Sequence, residues 1–254
     1  MASARISFLL FIVSGLSILA GCGAVFVNEG SRNASVAEGV ANPNFPLKTT
    51  VPAEARVISD FEDGTKNMNS KLYGSGLGFW RTISSDGNMP NYDFVASGGA
   101  SGSKSAHVFG MLIDHGNARY PTFALEGKFK RTGYYDAGAF KGIRFYYRCP
   151  AADKAIKRRF GIGIASTVPV AEGGVCQEQC GNYFGANLTN SDEWTQKSFL
   201  FSDLKREEGW GASIGSPELT DHLREIIYIK WENSANNKVG AYAIDYGVDD
   251  VEFF

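Results

Sequence analysis

From Arg56 to Phe254, apolar side chains recur at every second position in short runs, the period of strands that bury one face. The clearest run is KGIRFYYR, residues 141–148, in which Ile143, Phe145 and Tyr147 share one face and Arg144, Tyr146 and Arg148 the other. Runs of the same kind are VISDF (57–61), GFWRTIS (78–84), SAHVFGMLI (105–113), PTFALEG (121–127), RFGIGIAS (159–166), WTQKSFLF (194–201) and EIIYIKW (225–231), with AYAI and VDDVEFF near the end. The pattern predicts about nine or ten strands. Turn-rich clusters such as SDGNMPN, SGGASGS and ENSANN separate them, and only 217–224 reads as a short helix. An all-β, antiparallel β-sandwich over residues 56–254 closes such a set of strands.

The first 55 residues follow another pattern. Arg5 precedes an apolar run from Ile6 to Ala20, of the length of a signal-peptide core and short for a membrane span. The run ends Leu19-Ala20-Gly21-Cys22, which resembles the bacterial lipobox, whose cysteine becomes the lipidated first residue after cleavage. Residues 1–21 are expected to be removed and Cys22 to carry the lipid, which anchors without a transmembrane helix. By the same resemblance, Gly23 in place of an aspartate points to the outer membrane or cell surface. Residues 22–55 have no sustained period and are rich in Asn, Ser, Gly and Pro, as a flexible spacer is. An exported protein tethered to the envelope through lipid alone is expected.

Composition narrows the function classes. Glycine is frequent, 30 of 254 residues, beside 33 aromatics, which suits many turns between aromatic-rich strands. With 25 basic and 27 acidic residues the net charge is -2, so there is no electrostatic footprint for nucleic acid. H-E-x-x-H is absent. The stretch GGASGSKS (98–105) departs from a phosphate loop, because Ser103 replaces a glycine and a strand pattern follows. The loop acids Asp86, Asp93, Asp136, Glu172 and Glu178 form no pair legible from spacing, and glycoside hydrolysis needs two facing carboxyls. The chain reads as noncatalytic.

Four blocks carry a further resemblance: ISDFEDG (58–64), FKGIRFYYR (140–148), Trp194-Thr195 with FSDL (201–204), and VDDVEF (248–253). Together they resemble bacterial carbohydrate-binding modules of the galactose-binding-like jelly-roll type. The segment GGVCQEQCGNYFGANL (173–188), followed by Glu208-Gly209-Trp210-Gly211, is similar to a subgroup of these modules. The resemblance implies a jelly-roll sandwich that binds polysaccharide or oligosaccharide as a monomer. It also implies a Cys176–Cys180 disulfide, and a structural calcium for which Asp60, Glu62, Asp249 and Asp250 are the candidate ligands together with carbonyls near Ser103 to Ser105.

Sugar recognition requires flat aromatic faces for the C–H side of a pyranose, flanked by groups that catch hydroxyls. The candidates are Trp80 before a turn-rich loop, Arg144 and Tyr146 on the polar face of a central strand, and Tyr183 and Trp210 in glycine-rich loops. Trp194 and Trp231 alternate with core positions and are assigned to the core, and His107 to core or edge. Zinc on Cys176 and Cys180 lacks two further ligands at suitable spacing, and Cys149 is left unpaired. The expected function is noncatalytic polysaccharide binding at the envelope. Two alternatives stand beside it. A structural envelope lipoprotein would leave Tyr146, Tyr183 and Trp210 buried or scattered, and a jelly-roll glycoside hydrolase or lyase would show two carboxyls facing across a cleft.

Overall fold

The computed structural model describes residues 56–68, 78–85, 91–102, 104–116, 121–130, 133–150, 155–235 and 239–254. The expectations for the signal segment, Cys22, the spacer and Ser103 lie outside them. Among the described residues no helix is long and apolar enough to cross a membrane.

Among the described residues, eleven strands form two antiparallel sheets. The first holds β3 (Asn91–Ser97), β4 (Lys104–Asp114), β11 (Gly240–Phe253), β6 (Gly142–Cys149) and β9 (Ser191–Leu200) in that order, with β1 (Val57–Ser59) also paired to β11. The second runs β2 (Phe79–Ser84), β5 (Thr122–Lys128), β10 (Ile226–Ala235), β7 (Ile156–Ile164) and β8 (Phe184–Asn187). The segment expected to be helical is one 3-10 turn, Leu219–His222.

Alternation places the core. On β6, Ile143, Phe145, Tyr147 and Cys149 are buried, whereas Arg144, Tyr146 and Arg148 point away from the core. Phe145 meets Trp231 of β10 edge-on at 5.0 Å and Phe160 of β7 at 4.9 Å, so the aromatic layer spans both sheets.

The second sheet is also covered on its outer side, which explains why EIIYIKW is buried without alternation. The rings of Tyr183 and Tyr228 lie against the outward sides of Gly161 and Gly163. Beside them Arg81 Nε donates to Glu126 at 2.7 Å and Lys230 Nζ to Glu232 at 2.5 Å. Burial pushes the Glu126 carboxyl above its ordinary range although Arg81 pulls it down. Cys176 and Cys180 form a disulfide in the covering segment, and Cys149 is a buried free thiol.

Candidate functional site

The outer face of the first sheet is open, and a cleft of about 200 Å³ lies on it. Its floor is set by cross-strand register: His107 of β4 pairs with Gly247 of β11, and Gly247 with Arg148 of β6. Alternation carries Asp245 and Phe109 to the same face one row along. His107 Nε2 and Asp245 Oδ1 share a hydrogen bond at 2.8 Å, and the His107 ring lies 5.0 Å from that of Phe109. Arg148 is exposed, with its Nε–H donating to the carbonyl of Asp192 at 2.8 Å.

Trp194 completes the cleft. It starts from β9, reaches past β6 and lies over Gly247 of β11, where an added Cβ would meet the indole Cη2 at 2.5 Å. Only glycine lets the indole come that close to the sheet. The Nε1–H donates to the carbonyl of Gly98 at 2.9 Å, so the half-buried ring is pinned at its polar edge. A ring fixed in this way offers a stacking surface whose ordering cost is met before any ligand arrives.

The glycine-rich loop that follows β3 walls one end. Ala100 N–H donates to Asp249 Oδ2 at 2.7 Å, Ser101 Oγ–H donates to Asp250, and Lys104 N–H donates to Glu62 Oε1 at 2.9 Å. Burial, with a smaller contribution from the neighbouring Asp250 and Glu62 carboxylates, pushes Asp249 up to about 6 against the pull of its backbone donors. Three of the four expected calcium ligands, Glu62, Asp249 and Asp250, therefore close on one loop. Asp60 is exposed and accepts the N–H of Glu62 at 3.2 Å. Lys104 Nζ–H donates to the Glu62 carbonyl at 2.8 Å, which places an ammonium beside the same acids. Among the described residues, no three His, Cys, Asp or Glu side chains are arranged to hold a metal by themselves, so a cation here would depend on backbone carbonyls as well. Oxygen donors are of the type that calcium takes, though those of Asp249, Asp250 and Glu62 already accept hydrogen bonds from Ala100, Asp250, Ser101 and Lys104.

The predicted sugar contacts fare unequally. Trp80 is a correction: it is 1% exposed, inward on β2, and packs between Phe61 at 5.2 Å and Trp231 at 5.8 Å. Tyr183 is another. Its hydroxyl donates to Glu232 at 2.9 Å, Lys230 Nζ sits 3.8 Å from the ring centre, and the other side of the ring is against Gly161. Neither face is left for a ligand, and burial beside Glu232 pushes its hydroxyl well above the ordinary range.

Arg144 lies on the open face but pairs with Glu252. Tyr146 is half-buried on the same face and pairs in register with Asp249, one row beyond Arg148. Trp210 is 48% exposed but belongs to the other side of the sandwich, beside the outward positions of β7. Trp231 is in the core as expected, whereas Trp194 is not. In WTQKSFLF the buried side is fixed by Phe199, and that parity places Trp194, Gln196 and Ser198 outward. His107 was legible in the same way, since Ala106 and Val108 face the core.

No protein-family model matches the chain, and no curated protein matches it. Solved structures do. The family 11 carbohydrate-binding module from Clostridium thermocellum, in complex with a beta-1,3-1,4-mixed-linked tetrasaccharide, matches with TM-score 0.51 and 16% identity over 78% of this chain and 94% of the module. The family 11 module of a cellulosomal cellulase of the same organism matches with TM-score 0.52 and 18% identity over 78% and 93%. The chain therefore has the antiparallel jelly-roll β-sandwich fold that these carbohydrate-binding modules share.

Proposed function

We propose that the open face of the first sheet binds polysaccharide without cleaving it, with Trp194 as the stacking platform and His107, Asp245 and Arg148 as hydroxyl-binding groups. One observation carries this reading: an indole held half-exposed over Gly247 by a hydrogen bond to Gly98, next to an imidazole, a carboxylate and a guanidinium. A platform with polar groups at its edges is what a pyranose requires. The mixed-linked tetrasaccharide held by a protein of the same fold makes mixed-linked β-glucan the first polymer to try. In this reading the module is monomeric and exported, and Cys22 with the spacer tethers it to the envelope. A calcium ion beside Glu62, Asp249 and the loop carbonyls would neutralise like charges and stiffen the wall of the cleft.

A second reading is favoured by the scatter of the aromatics first singled out, since Tyr183 is buried and Trp210 faces away from Tyr146. It is a structural envelope lipoprotein with no sugar site. Retention on a panel of insoluble and gel-embedded polysaccharides separates the two, with release of reducing sugar followed in parallel. The wild-type chain should be retained on one polymer class without releasing sugar, and Trp194→Ala should weaken retention about tenfold or more, which corresponds to ~1.4 kcal/mol. Equal retention of wild type and Trp194→Ala would remove the cleft from consideration. No retention on any polymer would favour the structural reading, and sugar release would point to catalysis.

A further inference from the structure

We propose that the loop 205–212 presents a second glycan-contact site, centred on Trp210 and independent of the cleft. The inference rests on the sugar-binding reading above and extends it to a surface on the opposite side of the sandwich. Trp210 is the one large apolar side chain exposed between residues 205 and 216, at 48%, and the loop is built to hold it there. Asn182, 2% exposed, donates from its amide to the carbonyls of Glu207 at 2.8 Å and Trp210 at 2.6 Å, and accepts the N–H of Glu207 at 2.9 Å. Arg206 donates to the carbonyls of Asn182 at 3.1 Å and Ala212 at 2.6 Å. Ala212 N–H reaches the carbonyl of Gln179 inside the disulfide loop at 2.9 Å. Gly209 and Gly211 flank the tryptophan at φ +83° and +104°, conformations that side chains rarely adopt.

The indole itself is oriented. Its Nε1–H donates to Glu207 Oε2 at 3.1 Å, while Glu207 Oε1 accepts from Lys157 and from Arg159. A fixed aromatic ring therefore has a carboxylate and a half-exposed ammonium at its edge, the pairing that accepts and donates to sugar hydroxyls. As the one large apolar side chain exposed between residues 205 and 216, the ring is a surface of the size that one pyranose covers, smaller than the contiguous apolar patches that mark protein interfaces. The ligand class is thus the C–H face of a neutral pyranose in a chain or at its end. Because the two sites face opposite ways, they would engage separate chains or distant segments of one chain.

The test is calorimetric titration of the full chain with tetrasaccharides of mixed-linked β-glucan, xylan, β-1,4-mannan and β-1,4-galactan, repeated for Trp194→Ala, Trp210→Ala and Trp210→Phe with melting temperatures recorded. Two equivalents are expected for wild type. Trp194→Ala should keep the one that Trp210→Ala weakens at least tenfold, and Trp210→Phe should retain most of it. One equivalent that is lost in Trp194→Ala and untouched by Trp210→Ala overturns the second site and leaves the cleft standing. A lower melting temperature in Trp210→Ala with unchanged stoichiometry assigns the tryptophan to holding the loop, and overturns the proposal as well. No binding to any of the four removes the sugar reading and this site with it.

Discussion

Gly247 and Trp194 form a pair in which each residue is explained by the other. A Cβ on Gly247 would stand 2.5 Å from the indole, so Gly247→Val should displace the platform and weaken polysaccharide retention as Trp194→Ala does. Its melting temperature should stay within about 4 °C of wild type, because ~1 kcal/mol moves a domain of this size by about 2–4 °C. Glu207 makes a second prediction. Burial pushes its carboxyl up, but hydrogen bonds from Lys157 and Trp210 and the charges of Lys157 and Arg159 outweigh it, and the net shift is downward from 4.5. The stabilisation is therefore present above the unfolded-state value and is lost as pH falls through the lower folded-state value. Between about pH 5 and pH 3 the melting temperature of wild type should drop more than that of Glu207→Gln; parallel curves would show that the pair contributes nothing. At this scale the sequence was legible where parity could be tied to a certain core residue. Phe199, which packs against the core, places Trp194 outward, although the tryptophan's alternation with apolar neighbours assigns it to the core, and Val108 likewise places His107 outward. Trp80 and Tyr183 were misread because a tryptophan before a loop and a tyrosine within one give no parity, and their burial depends on partners remote in sequence, Trp231 and Glu232.

At the level of elements, the end of β11 shows how one residue controls a face. Asp250 has φ +45°, and the register against β6 shifts between Asp249 and Glu252, which is a bulge that changes which side chains point inward. Val248 faces the core before it, and Val251 and Phe253 after it. Without the extra residue at this point, the plain period of two from Val248 would turn Val251 and Phe253 outward, and Phe253 would lose its stacked neighbours Phe129 at 5.8 Å and Phe140 at 4.9 Å. Asp250→Val, a β-branched residue that rarely adopts this positive φ, should lower the melting temperature by about 2–8 °C, the effect of ~1–2 kcal/mol. Asp250→Gly, which tolerates the same backbone, should melt within about 2 °C of wild type; equal melting of the two variants would show that the bulge stores no strain at this residue. AYAI and VDDVEFF read as two strands and are one, because the break between them is Asp245 and Gly247 on the open face, with Tyr246 still in the core. β3 and β8 were hidden for other reasons: β3 follows directly on a turn-rich cluster, and the four residues of β8 sit inside a glycine-rich segment whose composition announces loop.

For the molecule as a whole, the alternating pattern was enough for a two-sheet sandwich because each strand shows one apolar face. It could not say which outer face stays open. Among the described residues, that is decided by the segment 165–183, which covers β7 and β10 through Tyr183 and Val168 and does not reach β4, β11 and β6. A structural calcium, as proposed for the loop after β3, acts at this scale through linkage. At a hundredfold excess over its dissociation constant it would add about 2.7 kcal/mol, or about 5–10 °C in melting temperature. Melting in millimolar calcium and in chelator should differ by that amount for wild type and coincide for Asp249→Asn. If wild type melts at one temperature in both, the loop is held by its own hydrogen bonds and Lys104.

The pairing of β1 with β11 has a mechanical side. A pull arriving from the N-terminal side enters at Arg56, whose carbonyl accepts the N–H of Phe253 at 2.8 Å, and passes through Val57 and Ser59 into Glu252 and Val251. The strand it reaches is the one that carries Asp245 and Gly247. A polymer gripped over those residues and a tether at the other end would thus tension a single strand lengthwise, against β6 on one side and β4 on the other. Such a load shears hydrogen bonds in parallel instead of peeling the sheets apart, and the first piece to yield would be the three residues of β1, with the gripping surface still whole.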